Sequence, residues 1–88
     1  MKQEERLITE QFLKNYGFVY KEKLGFWYRH ILFPWSYDGM IFRYRYDKKE
    51  LETQRHNIIG AEDIEYHNEE VGYKLINEYA KEGLFHKQ

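Results

Sequence analysis

Histidines and carboxylates are the side chains of this sequence best suited to acid–base or metal chemistry. The four histidines lie at positions 30, 56, 67 and 86, and none has a second ligand at a helical metal-binding spacing. The strongest constellation is Asp63, Glu65 and His67, which share one face if their segment is a strand. Metal sites usually draw ligands from more than one segment. We therefore interpret this trio as a solvated edge strand and predict neither a metal nor a cofactor.

The sequence lacks the usual motifs for covalent catalysis and for phosphate binding. Ser36 is the only serine, no G-x-S-x-G is present, and the six glycines occur singly, without a Walker loop or G-x-G-x-x-G. Zero cysteines exclude disulfides, thiol nucleophiles and cysteine-ligated zinc. The sequence therefore predicts a protein that is not an enzyme and has no catalytic residues.

Length and composition predict one small folded domain spanning residues 1–88. The chain is 42% hydrophobic and 33% charged, as in ordinary globular proteins. Aromatic residues make up 19% of it, so rings must supply much of the core. The first twenty residues contain several charges and no apolar signal region, and no run is long enough to span a membrane. These features predict a cytoplasmic protein with no membrane partner.

Hydrophobic periodicity predicts a helix at each end of the chain. The first helix places Ile8, Phe12, Leu13 and Tyr16 on one side and stops at Gly17; it begins either at an N-cap Thr9 or near Lys2. The second begins at an N-cap Asn68 and ends at Gly83. Its predicted apolar face consists of Val71, Leu75, Ile76, Tyr79 and Ala80.

Between the helices the sequence predicts antiparallel strands over residues 18–23, 26–33, 40–46 and 51–59. A further short strand over residues 63–67 is weakly favoured over the first turn of a longer helix. Residues 38–39 signal a hairpin that pairs Met40 with either Tyr37 or Phe33. The polar fourth strand is predicted to lie at an edge and to place Glu52 opposite Arg45.

Both hairpin alternatives place the same residues on each face of the sheet. Their registers differ by an even number of residues, and such a shift keeps every side chain on its face. One face then carries Trp27, Arg29, Ile31, Phe33, Met40, Phe42, Tyr44 and Tyr46. The other carries Tyr28, His30, Leu32, Ile41, Arg43 and Arg45. The predicted fold class is α+β: an N-terminal helix, an antiparallel meander of three to five strands and a C-terminal helix, with both helices packed on the more aromatic face.

The less aromatic face is the candidate partner-binding surface. Its predicted site residues are Tyr28, His30, Arg43 and Arg45, with Lys21 and Lys23 on a neighbouring strand. Exposed tyrosine and arginine are enriched at protein interfaces. Rings interleaved with cations also suit single-stranded nucleic acid, so a nucleic-acid-binding protein is the alternative function.

The predicted order of helix, meander and helix is similar to the double-stranded-RNA-binding fold and to the small messenger-cleaving toxins built on it. In those toxins a histidine follows a Gly-Ser after the first strand, whereas here Gly25 is followed by Phe26 and Trp27. The resemblance is one of topology and supplies no catalytic residue. A metal-independent ribonuclease, with His30 beside Arg43 and Tyr28 beside Arg45, is therefore only a third hypothesis.

Charge is distributed unevenly, with net +4 over residues 14–56 and net −4 over residues 57–88. The acidic C-terminal helix is thus a second candidate surface, for a basic partner. Small cysteine-free domains without catalytic motifs are typical of inhibitors and regulators, including those of phages and mobile elements. We predict a binding module that acts by protein–protein interaction, with a symmetric homodimer as a related alternative.

Overall fold

The computed structural model describes residues 6–85 and has the predicted α+β architecture. Its elements in chain order are α1 (Glu10–Asn15), β1 (Val19–Lys21), β2 (Phe26–Leu32), β3 (Gly39–Arg45), β4 (Glu50–His56), β5 (Glu65–Asn68) and α2 (Glu69–Lys81). The strands form one antiparallel sheet in the order β1-β2-β3-β4-β5. No helix in this part of the chain is long and apolar enough to cross a membrane.

Both helices begin at the predicted caps. The Thr9 Oγ1 accepts a hydrogen bond of 3.1 Å from the Phe12 N–H, and the Asn68 Oδ1 accepts one of 2.9 Å from the Val71 N–H. These bonds satisfy amide groups that the first helical turn leaves without partners. Residues 6–9 are not helical, which favours the start at Thr9; residues 1–5, including Lys2, lie outside the described part of the chain. Gly17 adopts the predicted left-handed conformation at φ 77°.

The β2–β3 hairpin has neither of the two predicted registers. Ile31, and not Phe33, lies opposite Met40. The Phe33 N–H donates to the Asp38 carbonyl at 3.0 Å, so the loop is shorter than in the wider alternative and the register differs from it by two residues. The shift is by an even number of residues, so the predicted faces survive: Trp27 lies opposite Tyr44, and Tyr28 opposite Arg43.

The fourth strand is shorter than predicted and is not at an edge. It ends at His56, because Asn57 closes a tight turn with Gly60, and β5 then covers its other side. The predicted pairing of Glu52 with Arg45 is wrong as a register, since Glu52 lies opposite Arg43. The weakly favoured strand after the turn is confirmed as β5, although it begins only at Glu65.

The core lies between the helices and the sheet face that carries Trp27, Ile31 and Phe42, as the alternation predicts. On α2 the buried positions are Gly72 and Ile76, whereas Val71 is 47% exposed, which corrects its predicted place on the apolar face. A Cβ built on Gly72 would lie 3.1 Å from the Cβ of Leu51. The absence of a side chain therefore lets α2 approach β4 closely.

Candidate functional site

The opposite sheet face, here called the outer face, brings together five of the six predicted site residues. They are Lys21, Tyr28, His30, Arg43 and Arg45, placed by register on β1, β2 and β3. The sixth, Lys23, is not on a strand. The amides of Leu24 and Gly25 both donate to the Lys21 carbonyl, so the chain turns directly after β1 and carries Lys23 in that turn.

The two arginines of the outer face are held by neighbours on β4. Arg45 Nε donates to Glu52 Oε2 at 2.9 Å, and its guanidinium carbon lies 5.1 Å from the centre of the Phe26 ring. Glu52 is only 6% exposed, so its carboxylate is largely shielded from water, whereas the Arg45 side chain is 29% exposed. Arg43 Nη2 donates to Gln54 Oε1 at 3.3 Å. Both guanidinium groups are thus positioned by contacts within the sheet before any ligand arrives.

The aromatic and charged groups left on this face are modest for a nucleic-acid platform. Tyr28 is half-buried, and the Lys21 ammonium lies 5.5 Å from the centre of its ring. The β4 strand adds two carboxylates, Glu50 and Glu52, to the same face. Three cations and two anions therefore share the outer face. Its positive charge is weaker than that of the surfaces with which proteins usually bind nucleic-acid phosphates.

Two histidines that are distant in sequence meet on the outer face. His30 on β2 and His56 on β4 flank β3, and their Nε2 atoms are 2.6 Å apart. His56 reaches across because Gly39 has no side chain: a Cβ there would lie 2.6 Å from His56 Nε2. Burial lowers the pKa of His30, and the charges of His56 and Arg29 lower it further. The lowered pKa favours the neutral form of His30 at this contact between two Nε2 atoms.

The predicted cluster of Asp63, Glu65 and His67 does not form a compact ligand set. His67 Nε2 lies 2.9 Å from Thr53 Oγ1 and 4.0 Å from Glu65 Oε1. Across residues 6–85, no group of three or more histidine, aspartate or glutamate side chains is placed to hold a metal ion. The His30–His56 pair supplies two nitrogens, fewer than the three protein ligands of a catalytic zinc site or the four of a structural one.

Large apolar side chains project from two neighbouring loops at one end of the sheet. We call this the loop-tip patch; it comprises Trp35 and Tyr37 of the β2–β3 loop and Ile58 and Ile59 of the β4–β5 turn, with exposed fractions of 63%, 83%, 77% and 96%. Together with Ser36, Asp38 and Asn57 they line an open cavity of about 520 Å³. Loop residues this apolar and this exposed are unusual in a monomer.

A hydrogen-bonded turn and a ring stack order the two loops that carry the patch. Asn57 Oδ1 accepts from the amides of Ile59 and Gly60 at 2.8 and 3.0 Å, which closes the β4–β5 turn. In the other loop the Trp35 ring stacks on buried Phe33 at a centroid distance of 5.3 Å. The apolar tips are therefore presented by an ordered framework.

The sequence did not predict this patch, because Ile58 and Ile59 were assigned to the end of the fourth strand and the segment around Trp35 was interpreted only as a hairpin turn. The exposed apolar residues do have a local signal in the sequence. Two adjacent isoleucines directly before Gly60, and a tryptophan directly after Pro34, are apolar residues at positions where turn residues are typical.

Comparisons with known proteins found no relative. No protein-family model, curated protein or solved structure matches the chain.

Proposed function

We propose that this protein is a non-enzymatic binding module that engages a protein partner through the loop-tip patch, as an inhibitor or regulator does. The observation that carries the proposal is the exposure of Trp35, Tyr37, Ile58 and Ile59 at one end of the sheet, around a cavity of about 520 Å³. In this proposal the interface lies on neither the outer face nor the acidic helix α2, the two surfaces that the sequence favoured.

The chemistry of the patch fits an apolar segment of a partner protein. Tryptophan and tyrosine dominate the binding energy of protein interfaces when they become buried at the centre of a contact. The charged residue that lines the cavity is Asp38, which accepts a hydrogen bond of 3.4 Å from Arg55. Exposed aliphatic and aromatic groups beside a charged pair resemble an interface core with a polar rim.

Replacement of the patch tests the proposal. We expect the double variant Trp35→Ser/Ile59→Ser to lose the partner that the natural chain retains from a lysate of its source cells. The matched control is Leu24→Ser, which removes a side chain of similar exposure, 62%, from the turn at the other end of β2. If the patch variant and the control retain the same proteins, the patch is not the interface.

A second copy of the chain is the alternative occupant of the patch. Light scattering at high micromolar concentration distinguishes it, because a dimer held by the patch dissociates in the Trp35→Ser/Ile59→Ser variant. A monomer under these conditions supports a different protein as the partner. A dimer that persists in the variant uses another surface, such as the exposed edge of β1.

Nucleic-acid binding on the outer face is the second candidate function, favoured by one observation: Tyr28 lies directly opposite Arg43, so a tyrosine and an arginine are cross-strand neighbours on this face. Titration of labelled single-stranded and duplex RNA and DNA at low salt tests it. Loss of stacking in Tyr28→Ala should cost about 1–3 kcal/mol in affinity. Loss of one phosphate contact in Arg43→Gln should mainly flatten the salt dependence. Lys81→Gln, on α2, is the control.

The same titration tests the absence of catalysis. We expect the RNA to remain intact after prolonged incubation. Cleavage that disappears in His30→Gln would overturn the non-enzymatic proposal and favour a metal-independent ribonuclease built on the His30–His56 pair.

A further inference from the structure

A second cavity lies at the opposite end of the sheet from the loop-tip patch and has different walls. It has a volume of about 450 Å³ and is lined by Glu10, Tyr20, Gly25, Trp27, Tyr46 and Asp47. Ligand-binding pockets commonly occupy about 300–1,000 Å³. Three of its six lining residues are aromatic and two are carboxylates, so it combines π faces with negative charge.

The sheet arranges the three rings around the cavity. Tyr20 lies opposite Trp27 on neighbouring strands, with ring centroids 5.4 Å apart and ring planes inclined by 53°. Tyr46 follows the end of β3 and packs edge-on against buried Tyr44 at 6.2 Å. Tyr20, Trp27 and Tyr46 thus border one cavity, and aromatic rings grouped around a space are the walls with which proteins hold cations.

Gly25 borders the cavity at the turn from β1 to β2. It adopts φ 75°, a left-handed backbone conformation that favours glycine. A Cβ added to it would meet nothing within 4 Å, so the backbone conformation, and not a close contact, accounts for glycine at this position.

The charges around the cavity favour a cation. Glu10 and Asp47 are exposed, and neither has an ion pair or a side-chain hydrogen bond within the described part of the chain. The Arg6 guanidinium carbon lies 3.9 Å from the centre of the Tyr46 ring, so one face of that ring is already covered by a cation. Arg6 is not among the residues that line the cavity.

We propose that this cavity binds an alkylated ammonium group. The three rings attract its diffuse positive charge and contact its methyl groups, while Glu10 and Asp47 neutralise the charge. A bare ammonium ion is more strongly hydrated and gains less from aromatic walls. Two kinds of ligand carry such an alkylated ammonium group: a free quaternary amine such as choline, and the trimethylated lysine side chain of a protein.

Titration calorimetry with choline and with its neutral isostere 3,3-dimethylbutan-1-ol tests the positive charge directly. The two molecules have nearly the same shape, so a site for cations binds choline and rejects the alcohol, whereas a merely apolar cavity binds both equally. Equal binding, or no binding of either probe, would overturn the proposal. The indole fluorescence of Trp27, measured in a Trp35→Phe background, gives a second readout located in the cavity.

Two variants locate the site. We expect Tyr20→Leu and Asp47→Asn each to weaken choline binding by about three-fold to thirty-fold, the range of a cation–π or charge contact at a partly exposed position. Tyr66→Leu and Asp63→Asn are the matched controls, since both residues are exposed and lie elsewhere. Trp27 is kept intact because it is only 7% exposed and belongs to the core. Equal weakening by the controls would contradict the assignment.

A short peptide with trimethyllysine, compared with the same peptide with unmodified lysine, distinguishes the two sources. Tighter binding of the methylated peptide than of choline assigns the site to a modified protein tail, and tighter binding of choline assigns it to a free amine. No preference for methylated over unmodified lysine would overturn the role of the rings. The proposal is independent of the loop-tip patch, and the Trp35→Ser/Ile59→Ser variant should retain full choline affinity.

Discussion

The Nε2 atoms of His30 and His56 lie 2.6 Å apart above Gly39, although the two histidines are 26 residues apart in sequence. Neither lies directly opposite the other, since β3 runs between their strands. The contact exists because Gly39 leaves a gap in the outer face that the His56 ring fills.

Gly39→Ala should destabilise the protein by about 1–3 kcal/mol, because overpacking forces neighbours to move. The added Cβ would lie 2.6 Å from His56 Nε2 and 2.8 Å from the Ile31 carbonyl oxygen, and the latter is backbone that cannot rotate away. Urea denaturation measures the free energy of unfolding. Gly60→Ala, whose Cβ meets nothing within 4 Å, is the control. Similar losses in both variants would show that the gap is not needed.

Acidification should destabilise the fold through His30. Burial, followed by the charges of His56 and Arg29, lowers the pKa of His30 in the folded state. The unfolded chain therefore binds a proton at this residue at a higher pH than the folded chain does. The contribution of neutral His30 to the free energy of unfolding is therefore complete above the ordinary histidine pKa of about 6.5, and it decreases as the pH falls below that value.

Thermal denaturation of the natural chain and of His30→Gln, at about pH 7.5 and about pH 5.5, checks this prediction. The melting temperature should fall further from the higher to the lower pH in the natural chain than in the variant. An identical fall in both proteins would assign the acid sensitivity to other groups.

Arg45→Ala should destabilise the fold even though the side chain lies on a candidate binding face. It leaves Glu52, 6% exposed, without the ion pair that Arg45 makes at 2.9 Å, and an unpaired buried polar group costs about 1–3 kcal/mol. Lys74→Ala removes an exposed partner of Glu70 at 3.7 Å and should cost less than about 0.5 kcal/mol. Chemical denaturation compares the two.

A double-mutant cycle isolates this interaction. If the ion pair explains the loss, Arg45→Ala should cost much less in a Glu52→Gln background than in the natural chain. Equal costs in the two backgrounds would assign the loss to the contact between Arg45 and the Phe26 ring. Binding experiments on the outer face should therefore use Arg43→Gln rather than Arg45→Ala.

Asn68→Ala should lower the free energy of unfolding by about 1 kcal/mol, because it removes the acceptor for the Val71 N–H at the start of α2. Asn68→Asp retains an acceptor oxygen and adds a negative charge at the positive end of the helix, so it should preserve stability. Helical circular dichroism followed through denaturation measures both. An equal loss in the two variants would show that the side-chain bond does not stabilise the helix.

The sequence by itself determined the features of this protein that depend on neighbours a few residues away. Thr9 and Asn68 cap amides three residues ahead of them, so the helix starts could be predicted from local composition. Alternation placed Tyr28 and Arg43 on one face, and this survived a wrong hairpin register because an even shift keeps every side chain on its side.

Only the tertiary structure decided which distant residues meet. The His30–His56 contact depends on the order of three strands and on a missing Cβ at Gly39, and nothing in the local sequence of either histidine specifies it. The same holds for Trp35 and Ile59, which lie together because two turns end at the same side of the sheet. Local sequence sets the conformation of each segment, whereas the packing of the whole chain selects the pairings between segments, and it is those pairings that form the surfaces proposed to bind ligands.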